Sequence, residues 1–479
     1  MIDVNFISLI NCSFLSDILP RGVECMLPTA SYTRSLAEYL HGMRFENFSQ
    51  HVVDMAKMCV EDFIGVAIAG SVKKESGIWQ KYYADKPSAP QASLFKPGFS
   101  MTSVEHAAAL NAVFGHVMDM DDVHNTSITH LAVITIPTAF ALGQSLRSSG
   151  QDVIEAIVAG YEAGARIGEA IKPSSYYYWH TTAVVGSFSA GVAAAKLLKL
   201  SEDEFVNCLA SAGTQAAGLW EFIVTGAMSK VLHTAHANLA GIRSAELAKL
   251  GFTGAPAILE GDRGFVKAVA PEYHLECLTR DFGEGYAIEK NSFKPYACCR
   301  HIHSAAYGVE RILAEHSISP KDIESIVDET YEAAYQTACD PQPESPYAAK
   351  FSIQFCIAAR LLLGSLNDEV FTEENIRNSD IQSLIRKVDV RVNPVLNEEF
   401  KADPTKWIHC LTLRLRSGEI IIKRIEYPIG DFKNPFDSAA ADRKFRSLPD
   451  AMLDSATSDK LLEKIHLLEK VSDMGEIFL

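Results

Sequence analysis

Twelve residues, Asp119 to His130 (Asp-Met-Asp-Asp-Val-His-Asn-Thr-Ser-Ile-Thr-His), carry three carboxylates, two imidazoles and three hydroxyls. They lie between an alanine-rich apolar run and Leu131-Ala-Val-Ile-Thr-Ile, where polar groups at that density need a reason beyond packing. Three other places combine cations or imidazoles with tight surroundings: Trp179-His180-Thr181-Thr182, Gly226-Ala-Met-Ser-Lys230-Val-Leu-His233, and Phe293-Lys294-Pro-Tyr-Ala-Cys-Cys-Arg300-His301-Ile-His303. Such groups suit removal of a proton beside a carboxylate, or loss of carbon dioxide to leave a carbanion there. Both build up negative charge that preorganised lysine and histidine donors stabilise, each donor being worth roughly 3 to 4 kcal/mol of barrier. A histidine near its unperturbed pKa exchanges protons at neutral pH.

Taken singly, each residue has an ordinary structural explanation. His130 fits a hydrogen-bonded core histidine, His180 a neighbour of a helix cap, Lys230 a snorkelling surface lysine and Lys294 a loop charge. Arg300, His301 and His303 either form the edge of a site or cap and solvate the helix that follows. Cys298 reads as a packed thiol, since no oriented base can be assigned to it.

The elements that must position these groups follow from periodicity. Apolar residues from Tyr32 to Ala69 recur at helical spacing and predict two helices, and residues 72 to 100, rich in Pro and Gly, predict an exposed connection. A helix resumes at Ser103, where Ser-Val-Glu-His offers an N-cap. Small-residue segments follow at Leu131 to Leu146, Val153 to Ile171, Ala183 to Leu198 and Phe205 to Trp220. Gly160, Gly164 and Gly168 make a stripe on one helix face. Each glycine costs roughly 1 kcal/mol relative to alanine, so the stripe implies helices packed backbone to backbone. Near residue 290 the character changes to a smaller α+β pattern. A helix is expected at Ile302 to His316, a strand at Asp322 to Thr330, a helix at Ala349 to Leu363 and a strand through Val388, Val390 and Val392. A hairpin should follow, with Leu411, Leu413 and Leu415 on one arm and Ile420 and Ile422 on the other. The tail from about Asp437 returns to helix, and Leu461, Leu462, Ile465, Leu467 and Leu468 can pack back on the first part.

At 479 residues the chain is expected to form two domains. Its 48% apolar and 22% charged residues are those of a globular protein, and the formal charge of -16 argues against nucleic acid and against an anionic membrane surface. Any anionic ligand must be held by a local cluster of cations. No run is long and apolar enough for a membrane span. An apolar patch at residues 4 to 19 follows Asp3 and is interrupted by Asp17, so residues 1–30 read as a loosely attached extension and not a signal peptide. Ten scattered cysteines without a Cys-x-x-Cys pair fit reduced thiols in a cytoplasmic setting. Spacings for zinc, for an iron-sulfur cluster and for a nicotinamide fingerprint are absent, so neither a metal nor a cofactor is expected.

The set as a whole resembles the MmgE/PrpD family, which includes 2-methylcitrate dehydratase, cis-aconitate decarboxylase and iminodisuccinate epimerase. The resemblance rests on Asp-Met-Asp-Asp followed by Thr-His, on Trp-His before a Gly-Ser-rich helix, and on Ser-Lys-x-Leu-His followed by Gly251-Phe-Thr-Gly and Ile258-Leu-Glu-Gly. Lys-Pro-Tyr-x-Cys-Cys-Arg-His completes it, and the likeness runs in consistent order over roughly residues 31 to 470. It implies a mainly α fold, with a large all-helical domain built from both chain ends (31–288 and 434–479) and a smaller inserted α+β lid domain (289–433). It also implies a homodimer and a cleft between the two domains. Carried over residue by residue, it implies catalytic positions at Asp119, His130, His180, Lys230 and Lys294. Tyr335 is a looser match in spacing; substrate contacts are expected at Lys230, Lys294 and Tyr335, and, from the residues themselves and not from the resemblance, at Arg300, His301 and Thr129. We expect Lys230 and Lys294 to hold carboxylates, His130 and His180 to move the proton, and Asp119 to orient a histidine or lysine. Asp121, Asp122 and His124 should brace the segment.

Two departures from the pattern bear on substrate. Val123 stands where relatives often carry threonine, so a hydroxyl contact is missing or supplied by Thr126 or Thr129, and the Trp-Gly-His-Pro-Ser-Asp signature of bacterial 2-methylcitrate dehydratases is absent. The expected function is a cofactor-independent lyase on a small di- or tricarboxylate. The alternatives are a dicarboxylate epimerase and a silent carboxylate-binding homologue.

Overall fold

The computed structural model describes residues 31–448 and 452–478, so the expected extension over residues 1–30 lies outside the described residues. The chain is mainly α. Long buried helices at Gln50–Gly70, Val104–His116, Ile136–Ser145, Gly150–Ile171, Thr181–Leu197 and Lys230–Lys249 pack against one another around one large apolar core. The glycine stripe does what its spacing predicts. A Cβ at Gly160 would sit 2.5 Å from Thr135 Cγ2, and one at Gly168 would sit 2.8 Å from Ser127 Cβ, inside the chemistry-bearing stretch. Only hydrogen at these positions lets the Gly150–Ile171 helix press against that stretch.

The only sheet among the described residues with more than two strands runs in the order Val388–Val392, Ile323–Thr330, His409–Leu415, Ile420–Ile425. Its first pair is parallel and the other two are antiparallel, and the expected hairpin closes with Arg414 opposite Ile420. A separate two-residue ladder pairs Val123 with Ser292 and His124 with Asn291. That ladder ties the polar stretch to the entrance of the sheet-bearing segment, two residues before Lys294. The C-terminal helices return to the first part of the chain. Lys444 Nζ donates to Asp62 at 2.6 Å, and His466 Nε2 lies 3.1 Å from Glu61 Oε2.

Several expectations need correction. Residues 72 to 100 are not a bare connection: Lys74–Ala84 is helical, Ala92–Ser93 pairs with Met101–Thr102, and the Phe95 ring is fully buried. The prolines fall outside these short elements, and Gly77 is taken inside the Lys74–Ala84 helix. The helix expected from Phe205 to Trp220 stops at Gly213, and the chain then turns so that Trp220 reaches the site. Ser103 does occupy the N-cap position before Val104, but its side chain makes no cap hydrogen bond. Leu467 is 41% exposed, whereas Leu461, Leu462, Ile465 and Leu468 are buried as the periodicity suggests. Among the described residues eight cysteines are free thiols, and no helix is long and apolar enough to cross a membrane.

Candidate active site

The Val104–His116 helix ends at the polar stretch, and the turn that follows puts Asp119 in the left-handed region, with φ at +56°. There its carboxylate meets both lysines singled out above. Lys230 Nζ, at the start of the Lys230–Lys249 helix, and Lys294 Nζ each donate to Asp119 Oδ1 at 2.8 Å. All three residues are buried. Burial opposes ionisation of Asp119, but the ammonium groups of Lys230 and Lys294, with the nearby imidazoles, outweigh it and hold the carboxyl well below its usual range. Burial likewise opposes the charge on Lys294, and Asp119 and Asp121 outweigh it and raise that pKa. Thus Asp119 pairs with the lysines and not with a histidine.

The histidines are served by Asp121 instead. Its Oδ2 lies 2.8 Å from His116 Nδ1 and 3.5 Å from His130 Nδ1. His130 Nδ1 also lies 2.6 Å from the Asp122 carbonyl, which can only accept, so Nδ1 carries the proton and Nε2 is the basic nitrogen. His116 stacks on His180 with ring centroids 5.9 Å apart, and His180 Nδ1 meets His233 Nδ1 at 3.2 Å. Burial drives the pKa of His130 down to about 3 and that of His233 to about 4, and holds His180 well below its usual value. Burial therefore favours the neutral form of these imidazoles, and a polyanionic ligand would raise their basicity.

Asp122 accepts from Tyr161, Asn291 and the Ala132 amide, and burial raises its pKa to about 7. His124, hydrogen-bonded through Nδ1 to Ser127, borders a different cavity on the far side of the ladder. Both brace the stretch without facing the lysines.

Asp119, Val123, His130, His180, Lys230, Lys294, Arg300 and His301 line one cavity of about 30 Å³, together with Ile128, Tyr176, Trp220, Cys299, Phe351 and Trp407. That is room for a water or two. Around it, buried donors lack partners. Arg300 Nη2 donates to Asp431 at 2.6 Å, but its Nε and Nη1 bond to nothing, and Trp220 Nε1, Trp407 Nε1 and His301 Nε2 have no partner either. His301 Nδ1 is held by Tyr331 Oη at 2.7 Å. Orphaned buried donors each cost about 1 to 3 kcal/mol, a cost that an anionic ligand would relieve. A second cavity of about 700 Å³ adjoins the first and shares Phe351 with it. Cys298 is fully buried, as expected of a packed thiol, and burial pushes the Cys299 thiol up to about 12.

Tyr335 and Thr129 do not take the places expected of them. Tyr335 is 40% exposed and outside the cavity, because the Glu332–Ala338 helix turns that face to solvent. The Thr129 hydroxyl is spent on the Ser127 carbonyl at 3.1 Å, and Thr126 faces His124, so neither supplies a hydroxyl in place of Val123. Sequence reading missed His116, the pairing role of Asp121, and the aromatic walls Tyr176, Trp220, Phe351 and Trp407, and it named His233 without giving it a role. His116 left a signal, an imidazole at the end of a helix five residues before an acid. His116, Asp121 and His130 bring ligand atoms within 4.8 Å of one another, a spacing open to a metal ion. The Nδ1 atoms of the two histidines face Asp121 and the Asp122 carbonyl, whereas among the described residues His116 Nε2 has no partner and His130 Nε2 is the basic nitrogen.

The MmgE/PrpD N-terminal domain matches residues 34–278, and the MmgE/PrpD C-terminal domain matches residues 296–470. The chain belongs to the MmgE/PrpD family. Among its relatives, a cis-aconitate decarboxylase of Aspergillus terreus is 25% identical over 92% of this chain and 94% of that protein. The cis-aconitate decarboxylase of Homo sapiens is 26% identical over 92% of this chain and 93% of its own length. A probable 2-methylcitrate dehydratase of Saccharomyces cerevisiae is 24% identical over 83% and 81% respectively. The MmgE/PrpD relatives named here are thus lyases by name, at low identity and nearly full length.

Proposed function

We propose that this MmgE/PrpD protein is a cofactor-independent lyase that acts on a small tricarboxylate, with decarboxylation of a cis-aconitate-like acid as the first reaction to test. One observation carries the reading. Two buried ammonium groups share a single carboxylate oxygen beside a buried arginine with unpartnered nitrogens, around a cavity bordered by neutral histidines. An incoming polycarboxylate would take hydrogen bonds from Lys230, Lys294 and Arg300. As a carbanion forms next to a carboxylate, the lysines would stabilise its charge. His130, its Nε2 made more basic by the bound anion and by Asp121, or His180 across the cavity, would deliver or remove the proton. Dehydration needs the same groups, with water as the leaving group.

The near-full-length relatives named cis-aconitate decarboxylase favour the first reaction. The reading includes a sheet-bearing lid over residues 289–433 that parts from the helical domain to admit substrate, since about 30 Å³ is too small for a tricarboxylate. It also includes a homodimer in a reducing, cytoplasmic compartment. The test is incubation with cis-aconitate, 2-methylcitrate, citrate and iminodisuccinate, followed by mass analysis. Loss of 44 mass units from cis-aconitate supports decarboxylation, and loss of water supports dehydration. Tight citrate binding with no product from any acid would reject the lyase reading in favour of a silent carboxylate-binding homologue.

A further inference from the structure

Three consecutive peptide carbonyls in the polar stretch each accept a hydrogen bond from a different buried lysine. Lys350 Nζ donates to Met118 O at 2.7 Å, Lys294 Nζ to Asp119 O at 3.0 Å, and Lys444 Nζ to Met120 O at 2.9 Å. Each ammonium is also paired with a carboxylate: Asp368 at 2.5 Å, Asp119 at 2.8 Å and Asp62 at 2.6 Å respectively. The lysines come from three places far apart in sequence: the turn after the short helix Pro346–Ala349, the segment just past the Asn291–Ser292 strand, and the C-terminal helix Ser438–Ser447. Two carboxylate partners, Asp368 and Asp62, come from further places, and the third, Asp119, belongs to the turn itself.

Buried carbonyls need donors, but an amide or a trapped water would serve, and burying an ammonium costs several kcal/mol even after relaxation. Something at this turn demands more than satisfaction of its peptide groups. Asp119 sits there in the left-handed region, a conformation that is unfavourable for a residue other than glycine. The same turn carries Asp119 toward Lys230 and Lys294 and, two residues on, Asp121 toward His116 and His130. When substrate carboxylates compete for Lys230 and Lys294, the hold of those lysines on Asp119 weakens. A turn held only by that pairing would then relax and draw the Asp121–histidine pair out of place.

We infer that Lys350 and Lys444, neither of which lines the cavity, are positioning residues that lock the Met118–Met120 backbone so that Asp119 and Asp121 keep their places while substrate is bound. Lys294 does the same from within the site. The kinetic part of this inference rests on the proposed lyase activity, and its structural part does not.

The test measures amide hydrogen exchange of the 116–124 segment, with kcat and KM, in wild type, Lys350→Met, Lys444→Met, Asp368→Asn and the two Lys→Arg variants. The Lys→Met changes keep length and remove charge, and Asp368→Asn loosens Lys350 from the more accessible end in case a lysine variant does not fold. The expected result is exchange at least about tenfold faster, confined to that segment. It should come with kcat lower by about tenfold to a hundredfold, as for a small misplacement of reacting groups, and KM within about threefold. Arginine, which can still donate to the carbonyl, should restore part of kcat. Unchanged exchange at 116–124 in folded variants, or faster exchange with kcat intact, overturns the inference. A wild type silent on every acid would instead defeat the proposed lyase, and the exchange measurement would still decide the lock.

Discussion

The two walls of the small cavity are built on different principles. On the helical wall Asp119 meets Lys230, and also Lys294 from the sheet-bearing segment, and Asp121 meets the Nδ1 atoms of two histidines, while among the described residues Asp119 Oδ2, Asp121 Oδ1 and His116 Nε2 have no partner. On the sheet-bearing wall, Arg300 uses one nitrogen on Asp431 and leaves two unpaired, while His301 and Trp407 each keep an unpaired nitrogen. The first wall holds its charged groups chiefly against one another, and the second keeps unpaired nitrogens that an anion could take. Groups already in place stabilise the transition state, so the helical wall should govern kcat; groups waiting for an anion contribute ground-state binding, so the other should govern KM.

That division is open to direct attack. Lys294→Met removes the only group among the described residues that donates to both the Asp119 carboxylate and its backbone carbonyl. It should lower kcat/KM by roughly 10² to 10³, mostly through kcat, in steady-state assays on the acid the wild type turns over. A loss confined to KM would erase the difference between the walls. Asp121→Asn should lower kcat by about a hundredfold, because His130 loses the acid that supports its charged form.

The same aspartates give the comparison a pH axis. Asp121 and Asp119 have folded pKa values below their unfolded ones, so their stabilisation is present above about pH 4 and is lost as pH falls toward the folded values. Asp122 has the opposite sign. Its folded pKa of about 7 means that its contribution is complete below about pH 4 and lost as pH rises through 7. Urea midpoints between pH 3 and 8 should therefore show Asp121→Asn flattening the acid limb and Asp122→Asn flattening the decline toward pH 8.

On the other wall, Arg300→Gln should raise KM about tenfold with kcat nearly unchanged, since a charged hydrogen bond to a carboxylate is worth about 1.5 kcal/mol or more. Tyr335→Phe marks the floor. With Tyr335 exposed and off the cavity, kcat/KM should stay within about twofold, and a larger loss would bring the residue back into the site.

The difference between the walls also explains what could be read from the chain. Taken singly, His130, His180, Lys230 and Lys294 have ordinary readings; with Asp119 they were legible through the resemblance of their motifs to the family, and the structure gathers all five on one cavity. The helical core was legible through its periodicity and its glycine stripe, and the hairpin through alternation. The pairing was not legible. Asp119 and Asp121 are two residues apart in one motif, and only the left-handed turn at Asp119 sends one to the lysines and the other to the histidines. Trp407 precedes a strand with nothing to distinguish it from a core residue, and it reaches the cavity only through the sheet order. Tyr335 misled for the reverse reason, since position in sequence says nothing about which side of a short helix faces water.

Phe351 borders both the cavity of about 30 Å³ and the adjoining one of about 700 Å³, with Lys230 Nζ 5.4 Å from its ring centre. The inner space, as it stands, holds a water or two at most. A carbanion formed there would take its hydrogen from a side chain and on one face. In heavy water the product would then carry a single deuterium of fixed handedness, a chiral record of which side of the cavity supplied it.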